Sequence, residues 1–320
     1  MIKFENVSKT YADGTTAVDT LNFTINKGEF FVLIGPSGCG KTTTLKLINR
    51  LIRLTEGTIF IDEKRISDYD IHQLRWNIGY VLQQIALFPH MSIEENIAIV
   101  PEMRMWDESK IKNRVTELLE MVGLDPDTYR HRKPNELSGG EQQRVGVVRA
   151  LAADPAIILM DEPFSALDPI SREKLQDDMI SLQKRINKTI VFVTHDMKEA
   201  IKLADRICLM DQGKIVQLGT PRDIVQNPCN DFVQDFIGAS QTAEAAFSLE
   251  KSLLPVNENQ PVPEDTIHLE ATLAEVIEKL TKAEEIGVYR ENQFIGKVNR
   301  QVILEYLSTS SKKGGGEQHV

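Results

Sequence analysis

Residues 35–43 read Gly-Pro-Ser-Gly-Cys-Gly-Lys-Thr-Thr, a complete G-x-x-x-x-G-K-S/T phosphate loop. An apolar run, Phe30-Phe31-Val32-Leu33-Ile34, leads in and reads as a buried strand. Thr44-Leu45-Lys46-Leu47-Ile48 leads out with helical spacing. Strand, glycine-rich loop and helix in this order leave few folds open and point to an α/β chain. The glycines let successive backbone N–H groups turn inward around phosphate oxygens. Lys41 can reach the β- and γ-phosphates, and the Thr42 hydroxyl can sit on Mg2+. The helix that follows directs its positive N-terminal end at the same place. Gly35, Pro36, Ser37, Gly38, Cys39, Gly40, Lys41, Thr42 and Thr43 are therefore the candidate nucleotide loop, and the implied ligand is a nucleoside triphosphate.

Two later segments bear on what happens to that ligand. Residues 137–141 read Leu-Ser-Gly-Gly-Glu, and residues 157–162 read Ile-Ile-Leu-Met-Asp-Glu. The four apolar residues predict a buried strand parallel to the first, in a doubly wound sheet. Asp161 then emerges at the carboxyl end, where such sheets bind ligands. A carboxylate there can hold the Mg2+ that bridges the β- and γ-phosphates. Glu162, next to it, can polarise a water for in-line attack on the γ-phosphorus. An apolar run ending in Asp is common by itself; joined to the phosphate loop it becomes specific.

Phosphate loop, Leu-Ser-Gly-Gly signature, Asp-Glu pair and a later histidine together resemble the ATPase subunit of an ABC transporter, over roughly residues 1–235. The resemblance implies an ABC-type nucleotide-binding domain with a helical subdomain, using ATP and Mg2+. It implies further roles by position. Tyr11 would stack on adenine. Gln83, in Tyr80-Val81-Leu82-Gln83, would sense the γ-phosphate and the metal. Ser165-Ala166-Leu167-Asp168 would be the D-loop, with Asp168 at the nucleotide interface, and His195, after Ile190–Thr194, would be the catalytic switch histidine. Two subunits would pack head to tail, each ATP lying between one phosphate loop and the partner's signature. Ser138, Gly139 and Gly140 then offer a hydroxyl and backbone N–H groups to a γ-phosphate at a helix start. Glu141 stands where the family more often carries Gln, and the Ser138-Gly139-Gly140 core is intact.

Composition limits the alternatives. The chain has 320 residues, 41% of them hydrophobic, enough for about two domains with sizeable cores. A net charge of −10 argues against a nucleic-acid-coating surface. Cys39, Cys208 and Cys229 show neither metal spacing nor a disulfide framework, which implies a reducing compartment. Cys39, inside an electropositive loop, is a candidate oxidisable thiol. The first residues lack the apolar core of a signal peptide, and no run of about 18–20 apolar residues could span a bilayer. A transport role would leave the pore to other chains.

The expected layout is an ATPase domain over 1–238 with a helical subdomain at about 88–150, a linker over 239–265, a small α+β unit over 266–307 and a disordered tail over 308–320. Strands and turns alternate through 1–34, Thr58–Ile61 is a strand, and 70–150 read as mainly helical, with an amphipathic run at Ile111–Val122. Residues 157–235 return to strand–helix alternation, with a short strand at Ile215–Leu218. In the small unit, a helix at Ala271–Leu280, strands at Glu285–Val288-Tyr289 and Phe294–Val298, a turn at Arg290-Glu291-Asn292 and a helix at Gln301–Leu307 resemble one CBS motif. Such motifs work in pairs, and one copy would pair across a homodimer and bind a regulatory adenine nucleotide, with cyclic di-AMP a candidate. A plain dimerisation domain is the alternative.

Thr42–Arg50, Ile85–Met91 and Arg144–Ala150 are similar to the wording of importers of quaternary amines such as glycine betaine, carnitine or choline. That resemblance implies a homodimer of ATPase subunits on the cytoplasmic face of the membrane. Its partners would be integral membrane permease subunits and, indirectly, an extracellular substrate-binding protein. The mixed apolar segment 85–91 would dock a membrane subunit in a groove bordered by Leu87, Phe88 and Met91. Other readings are an importer ATPase for a different solute, a soluble ABC ATPase in DNA repair or translation, and a chain that is chiefly a sensor. The acidic charge and single nucleotide domain weigh against the second, and the full catalytic set against the third.

Overall fold

Every residue of Phe30–Ile34, Ile157–Asp161 and Thr189–Thr194 is buried. Strands with no polar face must be covered on both sides, and these three are the middle of a six-stranded sheet. In the computed structural model its order is Lys214–Gly219, Arg206–Asp211, Phe30–Ile34, Thr189–Thr194, Ile157–Asp161, Ile78–Val81. All neighbours run parallel except the first pair. The strand feeding the phosphate loop and the strand ending on Asp161 are thus parallel, with one strand between them. Ile34 lies opposite Thr194, and Asp161 opposite Val193. Residues 35–43, 161–162 and 195 therefore leave one edge of the sheet together.

The structure describes residues 1–83, 86–165, 167–241, 249, 253–254, 263, 265–269, 271, 273–290 and 293–303, and the chain divides into two units, Met1–Val233 and Gln234–Val320. In the first unit a smaller antiparallel sheet orders Thr16–Ile25, Ile2–Thr10, Glu56–Ile61 and Lys64–Arg65. Its inward side chains share one core with the large sheet and with helix Lys41–Ile48. Phe4 stacks on Phe23 at 4.3 Å, and Phe23 on Phe31 of the large sheet at 5.5 Å. Each such ring contributes about 1.5–3 kcal/mol by burial.

The stretch 70–150 holds helices Ile71–Trp76, Ile93–Met103, Glu108–Met121, Pro126–Tyr129 and Gly139–Leu151. It is not wholly helical: Ile78–Val81 is the edge strand of the large sheet. Four residues carry too little periodicity to separate helix from strand. The tertiary reason is contact with the signature helix, since a side chain at Gly79 would begin 2.4 Å from the Ala150 carbonyl oxygen. The amphipathic run is helical over Glu108–Met121 and buries Ile111, Val115, Leu118 and Leu119.

In the second unit Thr266–His268 pairs parallel to Glu285–Arg290, which pairs antiparallel to Gln293–Asn299. Helix Leu273–Lys282 connects the parallel pair, and residues 300–303 are helical. Ile267, Val276, Leu280, Ile286, Val288 and Val298 form its core. The strand Thr266–His268 had no sequence signal; three residues of alternating burial are too few to read. Most of the expected linker, the turn residues Glu291 and Asn292, the remainder of the last helix and the whole tail lie outside the described residues. Among the described residues no helix is long and apolar enough to cross a membrane.

Candidate functional site

Helix Lys41–Ile48 begins directly on the loop, with Gly40 left-handed at φ 102°. A side chain there would begin 2.3 Å from the Ala17 carbonyl oxygen, so this position needs glycine for both conformation and space. The Lys41 ammonium is buried and donates to the carbonyl oxygens of Gly35 (2.7 Å) and Pro36 (2.8 Å). The loop thus carries its cation within its own curve. Cys39 packs into the core at 3% exposure. Burial pushes its thiol up, against a smaller opposing pull from Lys41. The expectation of an oxidisable thiol is therefore corrected: desolvation outweighs the positive loop and disfavours the thiolate.

The large sheet brings the other groups to the loop. Thr42 Oγ1 donates to Asp161 Oδ1 at 2.8 Å, and Tyr80 OH to Asp161 Oδ2 at 3.4 Å. Glu162 follows in a left-handed backbone, φ 44°, with its N–H on the Val193 carbonyl at 3.0 Å. A non-glycine residue held there costs of order 1–3 kcal/mol, a strain that clusters at functional sites. Here it lets consecutive carboxylates serve different partners. Glu162 Oε2 meets His195 Nδ1 at 3.1 Å and accepts from Gln83 Nε2 at 3.4 Å. Ser37, Gly38, Gly40, Lys41, Thr42, Thr43, Gln83, Glu162 and His195 line one cavity of about 500 Å3.

Other candidate residues stand apart from that lining. Tyr11 opens the turn after Ile2–Thr10, is 41% exposed, and has the Lys9 ammonium 5.0 Å above its ring. Asp168 caps helix Pro169–Ile186 by accepting from Ser171 N at 3.0 Å; Ala166 of the expected D-loop lies outside the described residues. Ser138 caps helix Gly139–Leu151, and Gly139, Gly140 and Glu141 form its first turn. None of these six, Tyr11, Asp168, Ser138, Gly139, Gly140 and Glu141, lines the cavity around the phosphate loop.

A second concavity, about 420 Å3, runs beside the edge strand Ile78–Val81, with Trp76, Tyr80, Leu82, Phe88, Val100 and Arg149 in its walls. The expected border of Leu87, Phe88 and Met91 is corrected in two of its three residues. Leu87 is buried in the core, and Met91 is absent from the walls. Chain alternation alone cannot say which apolar residues of such a segment turn outward. The buried Asn96 side chain decides it: Asn96 accepts from Phe88 N at 2.8 Å and donates to the carbonyls of Phe88 (3.2 Å) and Met91 (3.3 Å). The backbone is fixed while the Phe88 ring stays 44% exposed. Ile85 of the same segment lies outside the described residues.

Sequence reasoning passed over several residues that shape these sites. Asn96 and Tyr80 carried no signal beyond their type. Glu199 is buried and accepts from Thr194 Oγ1 at 2.6 Å, while Thr194 Oγ1 also accepts from Asp196 N at 3.0 Å. These bonds brace the turn that presents His195, and burial raises the Glu199 carboxyl above its ordinary range.

Comparisons with known proteins bear on the family and the fold. The family model described as ABC transporter matches residues 18–165. The choline transport ATP-binding protein OpuBA of Bacillus subtilis is 54% identical over 278 residues, covering 87% of this chain and 72% of that protein. The glycine betaine/carnitine/choline transport ATP-binding protein OpuCA of the same organism is 50% identical over 317 residues, covering 98% of this chain and 82% of that one. Among solved structures, the dimeric post-hydrolysis state of the ATP-binding cassette MJ0796 bound to ADP and Pi is 37% identical. It covers 69% of this chain and 99% of that chain, with a TM-score of 0.62.

Proposed function

The chain belongs to the ABC transporter ATP-binding family, and on that premise we propose that it hydrolyses ATP to energise uptake of a quaternary amine osmoprotectant through separate membrane subunits. The solute class, glycine betaine, carnitine or choline, is supported by the transport functions named for the two Bacillus proteins described above. The chemistry is carried by one observation: Glu162 lies in the phosphate-loop cavity with His195 and Gln83 both on its Oε2.

Lys41 and the backbone N–H groups of the loop bind the β- and γ-phosphates, and Glu162 polarises the attacking water. His195 and Gln83 hold the Glu162 carboxylate toward the γ-phosphorus. Thr42 Oγ1 and Asp161 Oδ1 converge to 2.8 Å, a pair of hard oxygen donors that fits Mg2+. Thr42 and Asp161, with Gln83, would hold that ion, which would supply charge neutralisation to the phosphoryl transfer. Ser138, Gly139 and Gly140 stand outside the cavity of their own chain, which supports a head-to-tail homodimer in which each signature closes the partner's site. The chain would then act at the cytoplasmic face of the membrane.

The groove beside Ile78–Val81 is the proposed seat for a short helix of a membrane subunit. Reconstituted with those subunits in proteoliposomes, Phe88→Asp is expected to keep basal ATP hydrolysis and lose most solute-stimulated hydrolysis and uptake. A folded Phe88→Asp protein with full solute stimulation would refute this seat.

The second unit is proposed to be a CBS-like regulatory element, with two copies pairing in the homodimer. Its support is the strand–helix–strand–strand–helix order with a parallel first pair. Full-length Lys41→Ala protein, with its weakened ATP site filled by a saturating non-hydrolysable ATP analogue, should still bind a further adenine nucleotide in calorimetry, cyclic di-AMP included. If no heat of binding appears with any adenine nucleotide, the unit is a dimerisation element.

A further inference from the structure

The start of helix Gly139–Leu151 carries more than a capping box. In the usual box the N-cap hydroxyl accepts from the backbone N–H three residues on, and the acidic side chain there accepts from the N-cap N–H. Both bonds exist here: Glu141 N to Ser138 Oγ at 3.4 Å, and Ser138 N to Glu141 Oε2 at 2.8 Å. A third is added, from the Ser138 hydroxyl itself to Glu141 Oε2 at 2.8 Å. The short bond is the one the hydroxyl donates, so its proton is committed to the carboxylate. The other carboxylate oxygen, Oε1, accepts from Tyr129 OH at 2.5 Å. Tyr129 ends helix Pro126–Tyr129, and the Arg132 guanidinium lies 4.7 Å over its ring. The Tyr129 bond, followed by those of Ser138, holds the Glu141 carboxyl below its ordinary range. Glu141 is thus an anion pinned from one side and gripping Ser138 from the other.

We propose that Glu141, positioned by Tyr129, competes with the γ-phosphate for the hydrogen bond that Ser138 donates, and so weakens the ATP-closed dimer. No bond is made or broken covalently. The Ser138 hydroxyl exchanges one anionic acceptor, Glu141 Oε2, for another, a γ-phosphate oxygen on the partner's nucleotide. The carboxylate also sets negative charge near an incoming polyanion. Both effects make the closed state easier to reopen. This inference rests on the head-to-tail dimer proposed above. It concerns Glu141 and Tyr129 as positioning residues, since the hydrogen-bond exchange acts through Ser138.

The test uses the full chain in a Glu162→Gln background, where hydrolysis is suppressed, and reads the dimer fraction by sedimentation across an ATP titration. Glu141→Gln keeps an acceptor for the Ser138 N–H, so the cap survives, but exchanges a charged acceptor for a neutral one of roughly half the strength. The ATP midpoint for dimerisation should fall about tenfold, the scale of one charge-assisted hydrogen bond, with thermal stability little changed. Tyr129→Phe should lower the midpoint in the same direction by less, and should add nothing on top of Glu141→Gln. A purely structural cap would move thermal stability and leave the midpoint alone. A parent that dimerises with ATP, but whose midpoint neither variant lowers, overturns this inference alone. So does a Tyr129→Phe effect that persists beside Glu141→Gln. A parent that stays monomeric overturns the dimer reading, and this inference with it.

Discussion

Glu162→Gln is expected to lower ATP turnover by about 10²-fold or more while leaving nucleotide binding near wild type, the range for loss of a positioned base. The side chain keeps its size, and its amide oxygen can still accept from Gln83 and His195, so the cavity should hold its shape. What is lost is the charge proposed to polarise water. With the bound ATP no longer consumed, an ATP-bound dimer should accumulate. Single-turnover hydrolysis and sedimentation with Mg-ATP check both parts. Wild-type turnover in a folded variant would remove Glu162 from the chemistry and leave His195 or another group to be sought.

Lys41→Ala should instead strike binding itself. Lys41 is 5% exposed, and its ammonium already sits within the loop, on two of its carbonyl oxygens. Its redirection to phosphate oxygens replaces neutral acceptors with charged ones, an exchange worth about 1.5–3 kcal/mol for a bond to a charged group. The nucleotide affinity should therefore fall about 10- to 100-fold. Calorimetric titration with a non-hydrolysable ATP analogue measures this directly. Two different signatures are expected: one variant binds and does not turn over, the other turns over poorly because it binds poorly. An unchanged affinity in Lys41→Ala would contradict the reading of residues 35–43.

The opposite outcomes predicted for two residues of one cavity reflect how the fold was assembled. Lys41 is part of a local device, whose glycines, cation and helix start are consecutive. Glu162 meets Gln83, 79 residues away, and His195, 33 residues away. Thr42 and Asp161 are 119 residues apart and meet at 2.8 Å only because their strands lie in register in one sheet. The parallel arrangement of those strands was legible, since each is an unbroken apolar run. The edge strand Ile78–Val81 was not, because four residues beside helices give no usable period.

Some local structure was therefore legible in the sequence alone: the glycine-rich loop ahead of helix Lys41–Ile48 and the Ser138 cap are short motifs whose geometry depends on adjacent residues. The tertiary structure decided three further matters. It turned Phe88 outward and Leu87 inward, because Asn96 fixes the backbone between them. It packed Cys39 into the core, where burial raises its thiol against the pull of Lys41. It gave Glu141 a partner in Tyr129, on a separate helix. Contacts between separate elements depend on packing, and a run of residue types does not contain the distances that packing sets.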